Sequence, residues 1–320
     1  STAITIDASE IVTVGSTVSP ALKVNRQSAN GDAYIELQSN GTKVANLVGS
    51  SVGGFSVHTG ASGTLTTALA IDNSGNVGIG AVPKTWYANY VATQIGTGGA
   101  LAARSNAGGG YSQVYLSANM YVDAAGADKY INTEWASIVR QSGGVISFDV
   151  APSGTADAAI SWNTAMTIDN AGIVTKPLQP AFFAYPNSNQ SNISTGTSTI
   201  VLNAERFDQG GDFNTGTSTF TAPVTGKYQF NLNIRIGSTL DTAANFYRSQ
   251  IITSNSDYYP TIMSPQFTAD TNFWHLTFSV LADMDAGDTA YTRVEQNGGS
   301  VQTTIDGGYT STNFSGFLVA

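Results

Sequence analysis

Through much of this chain polar and apolar residues alternate with a period of two, and helical periodicity is almost absent, so the pattern predicts an all-β protein. The clearest stretch is residues 227–236. There Tyr228, Phe230, Leu232, Ile234 and Ile236 share one parity and Lys227, Gln229, Asn231, Asn233 and Arg235 the other, giving one face to a core and one to water. His275 has the opposite parity from Trp274, Leu276, Phe278 and Val280, which turns the histidine to solvent and Trp274 inward.

A second pattern is repetition. Residues 67–75 return almost unchanged at 164–172, and a weaker copy occupies residues 2–7. Each full copy reads as a hairpin: a strand ending at Asp72 or Asp169, a turn at Asn73-Ser74-Gly75 or Asn170-Ala171-Gly172, and a returning strand. The glycine is expected at positive φ, a conformation that the glutamate at the equivalent Glu10 puts in doubt. Pro20, Pro83 and Pro177 follow the three copies and mark module boundaries. Residues 1–19 then read as the end of a preceding module, which makes the chain the distal piece of something longer. Residues 20–83 and 84–176 form two elaborated hairpin modules, and 177–320 a terminal domain with longer strands and more aromatics. Residues 21–24 and 34–39 find echoes at 100–103 and 113–117, and the extra length of the second module sits around Asp123 to Arg140.

Charged residues make up 11% of the chain, against roughly 25% in an ordinary soluble domain. The surface is therefore built from Gly, Ser, Thr and Asn. With a net charge of -9 the chain would repel a nucleic-acid polyanion, so no nucleic-acid partner is expected. There are no cysteines, hence neither disulfides nor thiolate metal sites. No apolar run reaches the roughly 20 residues that span a bilayer, and no membrane insertion is expected.

The phrase Ala70-Ile71-Asp72-Asn73-Ser74-Gly75-Asn76-Val77-Gly78-Ile79-Gly80 followed by Pro83 resembles the linking segments of bacteriophage tail fibres. Residues 220–230, then Leu281 through Ala286-Gly287-Asp288-Thr289 to Val294, and Phe314-Ser315-Gly316-Phe317-Leu318 resemble the jelly-roll heads of complement component 1q and its tumour-necrosis-factor-like relatives. The resemblances imply repeated β-hairpin shaft modules followed by a ten-stranded jelly-roll β-sandwich, three chains around a threefold axis, and recognition by surface loops. The implied function is a non-enzymatic, homotrimeric tail-fibre adhesin in the virion, touching other tail proteins and a host cell-surface receptor, a glycan or a protein. A capsid decoration fibre and a polysaccharide-cutting tailspike are the alternatives. Elementary physics also favours association, because stretches such as residues 39–63 have too few large apolar side chains to offset chain entropy alone.

Candidate chemistry is sparse. His58 and His275 are the only histidines and fall in different domains, too few for a metal cluster or a Ser-His-Asp arrangement. Asp283, Asp285 and Asp288 beside a glycine turn could hold calcium or simply cap the turn, and the first two could be imagined as a glycosidase pair. The adjacent Tyr258 and Tyr259, after Asp257, cannot both point inward on a strand, so an exposed aromatic face suited to a neutral or weakly charged glycan is expected there. Asp306 and Tyr309 form a second exposed-looking turn with an aromatic. Gly108-Gly109-Gly110 lacks the lysine and helix start of a phosphate cradle and reads as a connection.

Overall fold

The computed structural model describes residues 32–39, 42–50, 54–60, 64–104, 112–193, 195–238, 240–269 and 271–320. The copy at residues 2–7, Glu10, Pro20, residues 21–24 and Gly108-Gly109-Gly110 lie outside them. Among the described residues there is no helix, in line with the all-β pattern. The chain divides into two compact units, Ser1–Thr175 and Lys176–Ala320.

Among the described residues of the N-terminal unit, twelve strands, from Ala33–Ser39 to Val174–Thr175, form one sheet whose order follows the chain. Pairing is antiparallel except where Val77–Ile79 runs parallel to Tyr90–Ile95, so the sheet continues across Pro83. Both repeated segments are hairpins: Ile71 faces Val77 and Ile168 faces Val174. The turn glycines Gly75 and Gly172 have φ of 85° and 82°, as expected of residues without a Cβ. Their aspartates explain the turn. Oδ1 of Asp72 accepts from the amides of Ser74 (2.9 Å) and Asn76 (2.8 Å), and Oδ1 of Asp169 from those of Ala171 and Ile173 (both 2.9 Å). Asp123 makes the same bonds to Ala125 (3.0 Å) and Ala127 (2.9 Å), with Gly126 at φ 86°, so an unrecognised third Asp-x-x-Gly turn stands in the second module.

The stretch from Asp123 to Arg140, which carries the extra length of the second module, is ordered: Met120–Val122 and Asp128–Tyr130 pair with each other off the main sheet, and Glu134–Ser142 joins it. Residues of this excursion cover one face of the sheet. Trp86, Met120, Tyr121, Val122 and Ile131 bury Tyr90, Ala92, Ala100, Ala102, Tyr115 and Ile138, the alanines letting the covering layer come close. On the other face Leu101, Leu116, Val139, Phe148 and Met166 stand opposite one another in five adjacent strands. That row is apolar yet open: Leu101 is 51% and Leu116 61% exposed.

The C-terminal unit is a β-sandwich of two seven-stranded sheets. One is ordered Gln190–Ile193, Thr303–Ile305, Gly226–Ser238, Asn313–Leu318, Ala181–Tyr185, Ala204–Gln209, with Trp274–Met284 also paired to Gly226–Ser238. The other runs Phe213–Asn214, Thr219–Thr221, Thr289–Gly298, Ala244–Thr253, Asp257–Tyr258, with Gly196–Thr199 and Ile262–Met263 alongside. Among the described residues there are fourteen strands where the resemblance implies ten, and three of them, Phe213–Asn214, Asp257–Tyr258 and Ile262–Met263, are two-residue pieces. Tyr228, Phe230, Leu232, Ile234 and Ile236 are all buried, as their parity requires. Phe182, Phe220, Phe230 and Phe314 pack against one another, and a Cβ on Gly316 would come within 2.5 Å of the Phe230 ring and 2.8 Å of the Phe182 ring. The closing Phe-Ser-Gly-Phe segment is thus a packing requirement.

Candidate functional site

Asp257 and Tyr258 stand in one sheet of the sandwich, Asp306 and Tyr309 follow Thr303–Ile305 of the other, and no hydrogen bond or ring contact joins these two groups among the described residues. Asp257 and Tyr258 pair with Ile252 and Ile251 at a sheet edge. Asp257 is exposed, Tyr258 leans on the core, and Tyr259 turns outward, half exposed. One face of Tyr259 is covered by the Arg248 guanidinium, 4.6 Å from the ring centroid, and Arg248 is held by Glu295 through Nε at 2.9 Å. Tyr259 is thus 46% exposed, with a fixed cation against its ring.

Tyr309 has a similar mounting. Arg206 lies 4.4 Å over its ring and Tyr185 meets it edge-on at 5.9 Å. Asp306 corrects the sequence reading, since it is buried rather than displayed. Its Oδ2 accepts from Arg235 Nε at 2.7 Å, which removes it from any contact surface. An alternating strand followed by a glycine turn does not reveal where the neighbouring strand places a cation.

The calcium candidates do not converge. Asp283 pairs with Lys227, while Oδ2 of Asp288 accepts from the Asp285 amide at 2.8 Å and from Asn255 Nδ2 at 2.6 Å. These carboxylates fasten the turn, and among the described residues no three acidic or histidine side chains are grouped to hold a metal. His275 is exposed, with Nδ1 3.0 Å from Asn233 Oδ1, and His58 Nε2 lies 2.9 Å from Ser56 Oγ.

Residues 181–319 match the C1q domain family. The C-terminal unit is C1q-like over those residues. Solved structures similar to it include the globular domain of zebrafish complement 1qA protein (17% identity, 44% of this chain and 98% of that one, TM-score 0.31). Others are murine APRIL (8%, 44% and 99%, 0.33) and the TNF Eiger from S. frugiperda (11%, 44% and 94%, 0.35). No curated protein matches the chain.

One exposed aromatic group of this C1q-like domain escaped the sequence reading. Trp274, assigned inward by parity, is 37% exposed and packs on Phe267 at 5.3 Å, beside the exposed Phe273. Parity chooses a face of the sheet but not how far the opposite sheet extends. Trp274 is the first residue of its strand and pairs with Ile236 at the end of the register, at the rim of the sandwich. Phe273, at φ 60°, turns the chain into that strand. Its position before a predicted strand end was the available signal.

Proposed function

We propose that this chain is a non-enzymatic, homotrimeric fibre protein of a bacteriophage tail whose C1q-like domain meets a receptor on the host-cell surface, most naturally a glycan. The open apolar row Leu101–Leu116–Val139–Phe148–Met166 carries the trimeric part, because a contiguous apolar face on an antiparallel sheet is a surface that a second layer should cover. C1q/TNF-like domains typically form trimers and bind receptors, which supports the same assembly. The tail-fibre context rests on the hairpin phrase at residues 70–83.

Three copies of a shallow site such as the exposed ring of Tyr259 or Tyr309 would act together, and avidity supplies strength that no single site has. The virion is the corresponding location, with other tail proteins as further partners. The test combines native mass spectrometry with binding of fluorescently labelled protein to host and non-host cells. Mass at three times the 33.2 kDa chain together with selective cell binding is the expected result. A trimer that ignores every cell type would favour a decoration fibre, and a stable monomer would remove both readings.

A further inference from the structure

The N-terminal unit contains a polar cleft of about 450 Å³ between its main sheet and the excursion that covers it. Tyr87, Tyr90 and Tyr115 line it, with Arg104, Gln113 and Arg140 among them. Its size lies within the range of ordinary small-molecule sites.

The lining is organised rather than incidental. Oε1 of Gln113 accepts from the hydroxyls of both Tyr90 and Tyr115, those hydroxyls are 2.9 Å apart, and Gln113 Nε2 donates to Ser142 Oγ at 2.9 Å. This fixes the amide and leaves phenolic lone pairs as acceptors toward the cleft. Burial, with the hydrogen bond to Tyr115, holds the Tyr90 phenol above its ordinary range, so it stays neutral.

The two arginines differ. Arg140 donates to Asp128 Oδ2 at 2.9 Å and lies 4.9 Å over the Tyr115 ring, while Trp162 Nε1 donates to the same Asp128 oxygen at 2.7 Å. Asp149 Oδ2 also lies 3.8 Å from Arg140 Nε, so the charge of Arg140 is met by two carboxylates. Arg104 stands opposite Tyr90 in the sheet and makes no ion pair among the described residues. The cleft therefore carries the Arg104 guanidinium, without an ion pair among the described residues, beside hydroxyl acceptors and aromatic rings.

We propose that this cleft binds a sugar bearing a carboxylate, with Arg104 taking the carboxylate and the Tyr90–Gln113–Tyr115 cluster taking ring hydroxyls. A guanidinium grips a carboxylate through paired N–H donors, and clustered hydroxyl acceptors suit a polyol better than a bare anion. The site is independent of the receptor contact assigned to the C1q-like domain. It is a second site on the same chain, of different preference.

Saturation-transfer NMR on the full chain, with methyl glucuronoside, methyl glucoside and inorganic phosphate as probes, tests this. The glucuronoside should bind saturably in the millimolar range and the glucoside at least about tenfold more weakly. Arg104→Gln should bring the glucuronoside down to the glucoside level with an unchanged melting profile, and Arg104→Lys should fall between. Tyr259→Ala, in the other unit, should change nothing. Equal binding of the two sugars, indifference to Arg104→Gln, or displacement by phosphate as effective as by the glucuronoside would each overturn the proposal.

Discussion

Arg235 donates through Nε to Oδ2 of Asp306 at 2.7 Å, and the carboxylate sits over Gly237, where a Cβ would come within 1.8 Å of Asp306 Oδ1. The pair spans two neighbouring strand ends of the sandwich. Removing the acid leaves a partly buried cation without its partner. Asp306→Ala should lower the stability of the C-terminal unit by about 1–3 kcal/mol, the partial exposure of Arg235 keeping it below the cost of a fully buried pair. Gly237→Ala should do comparable damage by pushing the same carboxylate aside. Denaturant titration followed through the C-terminal aromatics measures both. Wild-type midpoints would show that this pair does not hold the turn.

Local logic was legible in the sequence, and long-range placement was not. Alternation at residues 227–236 identified the buried face because a strand between two sheets has only two options. The Asp-x-x-Gly turns at Asp72 and Asp169 were legible because their bonds close within four residues. The equivalent turn at Asp123 shares that spacing, but Ala124 and Ala125 replace the expected Asn and Ser and hid it. Asp306 and Trp274 were misread for another reason: burial at a sheet rim depends on what the other elements bring, here Arg235 for Asp306 and the limit of the register for Trp274. The Arg104 cleft, drawing on residues from Tyr87 to Ile160, had no contiguous signature.

The hairpin turns give a second prediction. Gly75, Gly126 and Gly172 all have φ between 82° and 86°, and the aspartate three residues earlier holds each turn. Gly75→Val or Gly172→Val should cost roughly 1 kcal/mol or more in local stability, since a branched side chain disfavours this conformation. Asp72→Ala and Asp169→Ala should cost about 1 kcal/mol each through the lost amide bonds. Hydrogen exchange at the Asn76 and Ile173 amides reports each turn directly. Unchanged protection in all four variants would mean that the strands, rather than the turns, fix these hairpins.

Acid should loosen the C1q-like domain through Asp241. Its carboxylate is buried and accepts from the amides of Val301 (2.9 Å), Ala243 (2.8 Å) and Ser300 (2.7 Å). The Val301 bond leads in holding its pKa below the ordinary carboxylate range, burial opposes it, and the other two bonds assist. A depressed folded-state pKa contributes stability that is complete above the unfolded value of about 3.9 and is lost as pH falls through the folded one. Glu205 and Asp212 are shifted upward by burial and act in the opposite sense, so the comparison with Asp241→Asn isolates this group. The wild type should be more stable than the variant at neutral pH, and the gap should narrow below about pH 4. Parallel stability curves from pH 7 to 2.5 would rule out this role.

The apolar row on the N-terminal sheet predicts a charge-sensitive assembly. Leu116 and Phe148 are both open to solvent and lie two strands apart in one register row, with Val139 between them. Leu116→Asp and Phe148→Asp would leave the covered face, built on Tyr90, Tyr115 and Ile138, untouched. If copies pack through this row, the double variant should shift native mass spectra toward lower oligomers while each chain keeps its β-sheet circular dichroism. An unchanged trimer would transfer the whole task of association to the C1q-like domain.

The last prediction concerns the receptor. Tyr259 and Tyr309 are each 46% exposed, with Arg248 or Arg206 against the ring, whereas Tyr258 contributes to the core and Asp306 to an ion pair. A ring held by a neighbouring cation loses little freedom when a sugar packs on its exposed part, which suits a weak contact repeated on several copies. Tyr259→Ala with Tyr309→Ala should therefore reduce cell binding at least about tenfold, which corresponds to 1.4 kcal/mol, with the melting temperature almost unchanged. Tyr258→Ala should instead lower the melting temperature first, because it opens space beside the core. Cell binding that survives the double variant at full strength would move the receptor contact to the rim formed by Phe267, Phe273 and Trp274, whose substitution would then be expected to abolish it.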